Sequence, residues 1–179
     1  HIMFKDMSRD RFLTAAGIAR DWPWGRGIYV SPDKALIVWV GEEDHLRIMT
    51  MMRGGSLKAL FGRLEEGLAM LAANLPPFVH SQRLGFITSC PSNLGTAMRA
   101  SLHMPFPNLT KYGRTLQPVE QIASLSGLSV RGVGGEHSAA GSDGMVDISP
   151  TTRLGVTESD IMKCLYEGAK KLLARELAD

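Results

Sequence analysis

The sequence predicts an α+β fold, in which an antiparallel β-sheet is flanked by helices. Three observations favour this class: several short β-prone stretches, local turns between them, and few long helices separating them. Strands joined by short turns run antiparallel, because parallel neighbours need a long crossover connection. At 179 residues the chain is one medium domain, or at most two very small ones. We expect it to bury roughly two thirds of its unfolded surface.

A β-hairpin and a third strand are predicted near the start of the chain. Gly27 to Val30 and Ala35 to Val40 are apolar stretches separated by Ser31-Pro32-Asp33-Lys34. Proline presets its own φ and aspartate bonds nearby backbone, so this spacer is typical of a tight turn. Leu46 to Met52 follows as a third β-prone stretch.

Helices are predicted where apolar residues recur every three or four positions. Phe12 to Ala19 fits a short helix, and Ser56 is placed to cap a longer one that runs from Leu57 to Leu75 and stops at Pro76-Pro77. A helix is also predicted at Gln117 to Leu125, and Thr157 opens the last helix.

The second half of the chain is predicted to hold four more strands and a glycine-rich loop. The loop runs from Gly132 to Gly144 and is expected to be mobile. The predicted strands are Leu84 to Cys90, Thr96 to Met104, Leu128 to Arg131 and Met145 to Ser149.

Composition excludes several classes of protein. Twenty basic and eighteen acidic residues leave a net charge of +2, which argues against a dedicated binder of nucleic acid or acidic membranes. The longest strongly apolar run, Ala35 to Val40, is far shorter than the ~20 residues needed to span a bilayer. Two cysteines make no disulfide framework, so we expect a soluble protein of a reducing compartment, placed in the cytoplasm. Arginine outnumbers lysine 13 to 7, which suits the binding of planar oxyanions.

Two polar clusters could carry chemistry in the first half. Glu42-Glu43-Asp44 directly follows the most apolar strand. These acids form either a solvated turn or a carboxylate set that holds a cation, a metal or a guanidinium. Cys90 lies at the end of a predicted strand, where its pKa could be lowered, although a buried structural cysteine is the commoner case.

Two further clusters point to anions. Alternation on the predicted strand would place Arg99, Ser101 and His103 on one face, as a ligand floor or simply as the solvent face. Arg131 leads into the glycine-rich loop with Glu136, whose backbone could approach a phosphate, although the loop has neither a Walker nor a dinucleotide pattern. Taken together over the four clusters, three arginines from separate segments (Arg47, Arg99 and Arg131), two acids and a thiol indicate phosphate chemistry on a nitrogen-rich substrate.

In these stretches the chain resembles the C-terminal catalytic domain of the phosphagen (guanidino) kinases, most closely the arginine kinases. The similarity extends over nearly the whole chain and includes His1, which matches a family histidine or is a cloning residue. The matching stretches are Arg20-Asp21-Trp22-Pro23, Gly25-Arg26-Gly27-Ile28, Val38-Trp39-Val40, Glu42 to Arg47, Gly54-Gly55, Cys90 to Thr96, Arg99 to His103, Asp147-Ile148-Ser149 and Arg153-Leu154-Gly155.

The resemblance implies a sheet of the glutamine synthetase/guanidino kinase type and a role for each matching residue. Glu43, Cys90 and Glu136 would bind the substrate guanidinium and act in catalysis. ATP or ADP would be bound with Mg²⁺ held by its phosphates. The implied nucleotide-binding residues are His1, Arg47, Arg99, Ala100, Ser101, Leu102, His103, Arg131, Gly132, Val133, Gly134, Gly135, Glu136 and Asp147.

The resemblance also bears on substrate and partners. Glu136 favours arginine, because creatine kinases have an apolar residue there, whereas Pro91-Ser92-Asn93 and Gly134 look more like the creatine kinases. Residues 1–179 would be the C-terminal domain of a longer chain, without its N-terminal helical domain, and a homodimer is left open. A nucleotide-binding module without transfer activity and a protein-arginine kinase are the alternative interpretations. Neither nucleic acid nor membrane is an expected partner.

Overall fold

A computed structural model of the chain describes residues 14–15, 17–54, 56–133 and 139–178. The chain divides into two compact units. The first unit comprises His1–Val79 and Thr88–Cys90, and the second comprises His80–Ile87 and Pro91–Asp179. Each unit holds its own antiparallel sheet and at least one helix, so the predicted α+β class is confirmed.

The first unit is built on a three-stranded antiparallel sheet in the order β1-β2-β3. The strands are β1 (Gly27–Val30), β2 (Leu36–Val40) and β3 (Leu46–Thr50). Local hydrogen bonds fix the first turn, where Ser31 Oγ donates to Asp33 Oδ1 over 2.6 Å and Ala35 N donates to the same oxygen over 3.1 Å. These bonds lower the pKa of the Asp33 carboxyl. The hairpin predicted from the turn residues is therefore confirmed.

Helix α1 (Leu57–Ala72) packs against this sheet. It begins after Ser56, as predicted, although the Ser56 side chain makes no capping hydrogen bond, and it ends before the predicted stop at Pro76-Pro77. Gly67 is its buried residue, and a Cβ there would lie 3.0 Å from Leu36 Cδ1, so a glycine allows helix and strand to meet closely. The predicted helix Phe12–Ala19 lies partly outside the described residues, and positions 17–19 form turns instead.

The second unit contains a three-stranded antiparallel sheet in the order β6-β8-β7 and a two-stranded hairpin, β4-β5. The strands are β4 (His80–Ser81), β5 (Gly85–Phe86), β6 (Leu102–Pro105), β7 (Leu128–Gly132) and β8 (Met145–Pro150). The helices of this unit are α2 (Gln117–Ser124) and α3 (Glu158–Glu176). None of the helices in the described ranges is long and apolar enough to cross a membrane.

Helices α2 and α3 of the second unit contact the sheet and each other. Thr157 caps α3 as predicted, because its side chain accepts from Asp160 N while the Asp160 carboxylate accepts from Thr157 N. The buried core of this unit consists of Phe106, Leu109, Val119, Ala123, Leu128, Val146, Ile148, Ile161, Leu165, Ala169 and Leu172.

Two predicted strands are much shorter than the sequence suggested. Of Leu84 to Cys90 only Gly85–Phe86 is a strand, and of Thr96 to Met104 only the part from Leu102 onward is. Thr96 N donates to Arg153 O, and Ala97 has a φ of +51°, which is incompatible with an extended strand. The backbone between positions 96 and 101 is therefore held by a loop contact and is not paired in a sheet.

Candidate functional site

The acidic cluster lies in a tight turn at the end of β2, within the first unit. Gly41 opens the turn with a φ of +71°, and its N–H donates to His45 O over 2.9 Å. Glu42, Glu43 and Asp44 occupy the residues between and are each half-buried. We call residues Gly41 to His45 the acidic turn. A positive φ is readily adopted by glycine, which explains how the most apolar strand can reverse so abruptly.

Ser89 joins this turn to the segment that carries Cys90. Its N–H donates to Asp44 Oδ1 over 2.7 Å, and its Oγ donates to Glu43 O over 2.8 Å. Thr88 Oγ1 donates to Cys90 O over 2.8 Å. Glu43 and Cys90, which are far apart in sequence, are thereby brought together, and the Cys90 side chain hydrogen-bonds the Glu43 carboxylate.

The environment of Glu43 disfavours its negative charge. Burial is the largest influence that raises the pKa of this carboxyl, and the charges of Asp44 and Glu42 raise it further. Arg47 and the hydrogen bond with Cys90 act in the opposite direction but do not cancel this effect. A carboxylate in such surroundings gains from a cationic ligand, and its raised pKa makes it a stronger base than an ordinary carboxylate.

Arg47 lies on β3 directly opposite Trp39 of β2. Its guanidinium carbon is 5.0 Å from the centre of a Trp39 ring, a cation–π contact. The strand pairing and the ring together hold this exposed cation near the acidic turn. A cavity of about 390 Å³ adjoins the turn and is lined by residues that include Arg20, Asp21, Arg26, Glu43, Asp44 and Ser89.

The second unit contains a polar row across its three-stranded sheet. Asp147 on the central strand β8 is paired with His103 on β6 and with Arg131 on β7. Asp147 is 8% exposed, and Arg99 Nη2 donates to its Oδ2 over 2.5 Å. His103 Nε2 lies 3.8 Å from the other oxygen, Oδ1, which has no hydrogen-bond partner among the described residues.

This row has more positive than negative charge at neutral pH. Arg99 and Arg131 contribute two cations around the single carboxylate of Asp147, and His103 adds a further N–H donor or acceptor. Arg99 keeps about a third of its side chain exposed, so it can contact a ligand as well as Asp147. An anionic ligand such as a phosphate is the kind of group that this row can bind.

The predicted site residues therefore fall into two described clusters. Glu43, Arg47 and Cys90 meet in the first unit, and Arg99, His103, Arg131 and Asp147 meet in the second. Ala100 and Ser101 precede β6, Leu102 begins it, Gly132 ends β7 and Val133 follows in a turn. His1, Gly134, Gly135 and Glu136 lie outside the described residues.

The prediction that Arg99, Ser101 and His103 alternate along one strand was wrong. Only His103 lies within β6, because the strand begins at Leu102. Arg99 nevertheless reaches the same carboxylate as His103, since its side chain extends from the loop to Asp147. Sequence reasoning also missed the role of Ser89, for which its place beside Cys90 was the available signal. The role of Arg26, which lines the cavity beside the turn, was missed as well, although its stretch Gly25-Arg26-Gly27-Ile28 was among those that match the family.

No group of three or more His, Cys, Asp or Glu side chains within the described ranges is arranged to hold a metal ion. The carboxylate contacts of the acidic turn that the structure does show are those of Asp44 with Ser89 and of Glu43 with Cys90.

The full chain is similar to proteins of one known family. Residues 1–179 match the family described as "ATP:guanido phosphotransferase, C-terminal catalytic domain". Arginine kinase of Plodia interpunctella is 46% identical over 176 residues, which are 98% of this chain and 48% of that protein. Arginine kinase of Limulus polyphemus is 44% identical over 178 residues, covering 99% and 48%. The chain thus spans about half the length of the curated relatives that it matches.

Solved structures of guanidino kinases also superpose closely on this chain. A crystal structure of lombricine kinase superposes with a TM-score of 0.85 at 39% identity, covering 94% of this chain and 46% of that one. The duplicated taurocyamine kinase of Schistosoma mansoni with bound transition-state-analogue components superposes with a TM-score of 0.87 at 40% identity, covering 99% and 25%. The family match covers every residue, and the curated relatives are more than 40% identical over almost the whole chain. This chain therefore belongs to the ATP:guanido phosphotransferase family, whose C-terminal catalytic domain it matches.

Proposed function

We propose that the protein containing this chain reversibly transfers the γ-phosphoryl group of MgATP to a guanidino substrate, with L-arginine favoured, and so forms a phosphagen that buffers ATP. The observation that carries the proposal is the meeting of Glu43 with Cys90 at the acidic turn, in surroundings that favour a cationic ligand. A guanidinium is a planar cation that carboxylates bind through paired hydrogen bonds. Residues 1–179 would supply the C-terminal catalytic domain, and an N-terminal domain of the same chain would complete the enzyme.

In this proposal Glu43 performs two tasks. It orients the guanidinium, and it accepts a proton as the N–P bond forms and the bond from the γ-phosphorus to the ADP oxygen breaks. A guanidinium has a pKa above ~12 and is a poor nucleophile until it loses that proton. The raised pKa of the Glu43 carboxyl supports a proton-accepting role, because a stronger base accepts the proton more readily. Glu136 would contact the other edge of the guanidinium.

The phosphates would be bound by arginines. Arg47, Arg99 and Arg131 are proposed to neutralise the oxygens of the transferred group and its neighbours, whose charge is spread widely in a loose transition state. The row around Asp147 supports this assignment, since it surrounds one carboxylate with two arginines. His1, Ala100 to His103 and Gly132 to Gly135 remain proposed nucleotide contacts. Mg²⁺ would arrive on the phosphates, where it shields their charge.

A substrate panel on the complete protein tests the function. ADP release coupled to a spectroscopic readout is measured with L-arginine, creatine, taurocyamine and lombricine. We expect turnover that is highest with L-arginine. Highest turnover with another compound would correct the substrate, and the solved lombricine and taurocyamine kinases make that comparison worthwhile. Binding of ADP without transfer to any of the four would refute the proposal and support a nucleotide-binding module.

Two substitutions test the catalytic assignment. Glu43→Gln should lower kcat/KM for the guanidino substrate by about 100-fold or more, because it removes both the charge and the base. Cys90→Ala should also lower it. Matched controls are Glu65→Gln, an exposed position on α1, and Cys164→Ala, whose thiol bonds Ser126 O in the second unit. Parent-like turnover of both Glu43→Gln and Cys90→Ala would show that the assignment is wrong.

The isolated residues 1–179 provide a further test. We expect this chain to bind ADP without appreciable phosphoryl transfer, since a partner domain would complete the site. Robust phosphorylation of arginine by residues 1–179 alone would contradict that expectation.

A cytoplasmic location of the protein stays a prediction.

A further inference from the structure

Arg26 has an unusual set of contacts in the first unit. It lies immediately before β1 and is half-buried. Its Nε donates to Gly41 O over 3.0 Å, its Nη1 donates to Trp24 O over 2.7 Å, and its Nη2 donates to Ile18 O over 2.5 Å. Nη2 also lies 3.5 Å from Arg20 O. All three nitrogens of the guanidinium are therefore occupied by backbone carbonyls.

These carbonyls come from two separate loops. Ile18, Arg20 and Trp24 belong to the turns that precede β1, whereas Gly41 is the first residue of the acidic turn. The guanidinium carbon also lies 5.5 Å from the centre of a Trp22 ring. Within the described residues, no hydrogen bond or ion pair joins this arginine to a carboxylate. The N–H groups of its guanidinium thus join the two loops.

Gly41 is held on both sides as a result. Its carbonyl accepts from Arg26, and its N–H donates to His45 at the far end of the acidic turn. The contact is close, because a Cβ on Gly41 would lie 3.3 Å from Gly25 O and 3.4 Å from Arg26 Cδ. Two residues further along, Glu43 is fixed through its own carbonyl by Ser89.

We infer that Arg26 is a positioning residue for Glu43: by binding Gly41 O, it sets where the acidic turn leaves β2 and thus where the Glu43 carboxylate stands. The inference rests on the proposed function, in which Glu43 binds the guanidino substrate. Ser89 holds the middle of the turn, and Arg26 holds its beginning. With the beginning and the middle of the turn fixed, Glu43 does not have to be ordered when substrate binds.

A lysine cannot perform this task. Its ammonium is a compact charge with three donors on one atom, whereas the guanidinium directs five N–H groups outward in a planar fork. The three main carbonyl acceptors surround Nε, Nη1 and Nη2 separately. Arg26→Lys therefore keeps the charge and loses the geometry.

The experiment compares Arg26→Lys with Arg63→Lys, the same change on α1, in the complete protein. For Arg26→Lys we expect kcat/KM for the guanidino substrate to fall by about 10- to 100-fold. We expect the KM for nucleotide to stay within about twofold, because Arg47 is held separately by its pairing with Trp39. Arg63→Lys should match the parent in both.

A pH profile separates positioning from a loss of stability. In the parent, we expect the acid limb of kcat/KM to report the raised pKa of Glu43. In Arg26→Lys that limb should move toward lower pH, since a displaced carboxylate loses part of the burial that is the largest influence raising its pKa. A folded Arg26→Lys variant with parent-like kcat/KM and a parent-like acid limb would overturn the inference.

Amide hydrogen exchange tests the same inference without turnover. The Gly41 N–H, bonded to His45 O, should exchange about tenfold faster in Arg26→Lys than in Arg63→Lys. Equal exchange in the two variants would overturn the positioning role even if the parent phosphorylated no guanidino compound. Failure of the proposed function would appear separately, as a parent inactive on the whole substrate panel. Should Arg26→Lys fail to fold, Gly41→Ala disturbs the same contact from the other side, and its kcat/KM and acid limb must then show the same changes.

Discussion

Replacing Gly95 by alanine should destabilise the second unit strongly, because the added Cβ both strains the backbone conformation and clashes with neighbouring atoms. Gly95 has a φ of +102°, a conformation that residues with a Cβ rarely adopt. An added Cβ would also press into the backbone at Arg153 O and lie 2.6 Å from Leu154 Cα. Both neighbours are main-chain atoms, which cannot rotate away as a flexible side chain can.

The expected magnitude follows from these two costs. Holding a non-glycine residue in such a backbone region costs about 1–3 kcal/mol. Overpacking by one methyl group costs about 1–3 kcal/mol more. We therefore expect the free energy of unfolding to fall by about 4 kcal/mol, which corresponds to a drop in Tm of roughly 8 to 16 °C for a domain of this size.

Gly155→Ala is the matched control for this prediction. Gly155 also has a positive φ, of +77°, but a Cβ there would meet no atom within 4 Å. Its cost is then the conformational one alone, about 1 kcal/mol, or roughly 2 to 4 °C. Thermal unfolding followed by circular dichroism measures both variants. If Gly95→Ala lowered Tm no more than Gly155→Ala, the steric part of the reasoning would be refuted.

Three further predictions concern single side chains. Thr157→Ala should lower the free energy of unfolding by about 1 kcal/mol, because the amide of Asp160 loses its cap, whereas Thr157→Ser should match the parent in thermal melts. Glu176→Gln should lower the free energy of unfolding in denaturant by about 2 kcal/mol. The buried carboxylate accepts from Asn108 N, and an amide group cannot satisfy the same donors. A measured cost below about 0.5 kcal/mol would contradict this prediction. Because the pKa of the Glu43 carboxyl is raised, Glu43 loses its charge at a higher pH than an ordinary glutamate does as the solution is acidified. Turnover of the guanidino substrate should therefore decline over that pH range. A pH–rate profile that stays flat down to the ordinary carboxyl range would count against the role of Glu43.

Elements with local determinants were predictable from the sequence. The first hairpin depends on bonds within a few residues, chiefly those of Ser31 and Asp33, and the last helix depends on Thr157 and its apolar face. Both predictions are confirmed, because these determinants lie within a few residues of the elements that they specify. The strand predicted from Thr96 failed for the contrary reason, since a hydrogen bond to Arg153, far along the chain, takes the backbone out of a sheet.

The candidate site was predictable as a set of residues and not as an arrangement. The acids, the cysteine and the arginines could be selected by type and by resemblance. Their contacts depend on tertiary structure, as the bond between Arg99 and Asp147 shows, which joins residues 48 positions apart. Arg26 carries no such functional signature, because its partners are carbonyl groups that every residue possesses.

The position of Ser89 between Cys90 and Glu43 affects how this site can evolve. Ser89 is attached to Cys90 by a peptide bond and to Glu43 by a hydrogen bond, so a shift in either group is transmitted to the other. Residues connected in this way show non-additive effects when they are replaced together. Laboratory evolution toward a bulkier guanidino compound should accordingly find a replacement at position 89, which shifts Glu43 and Cys90 together, before a replacement of either group itself.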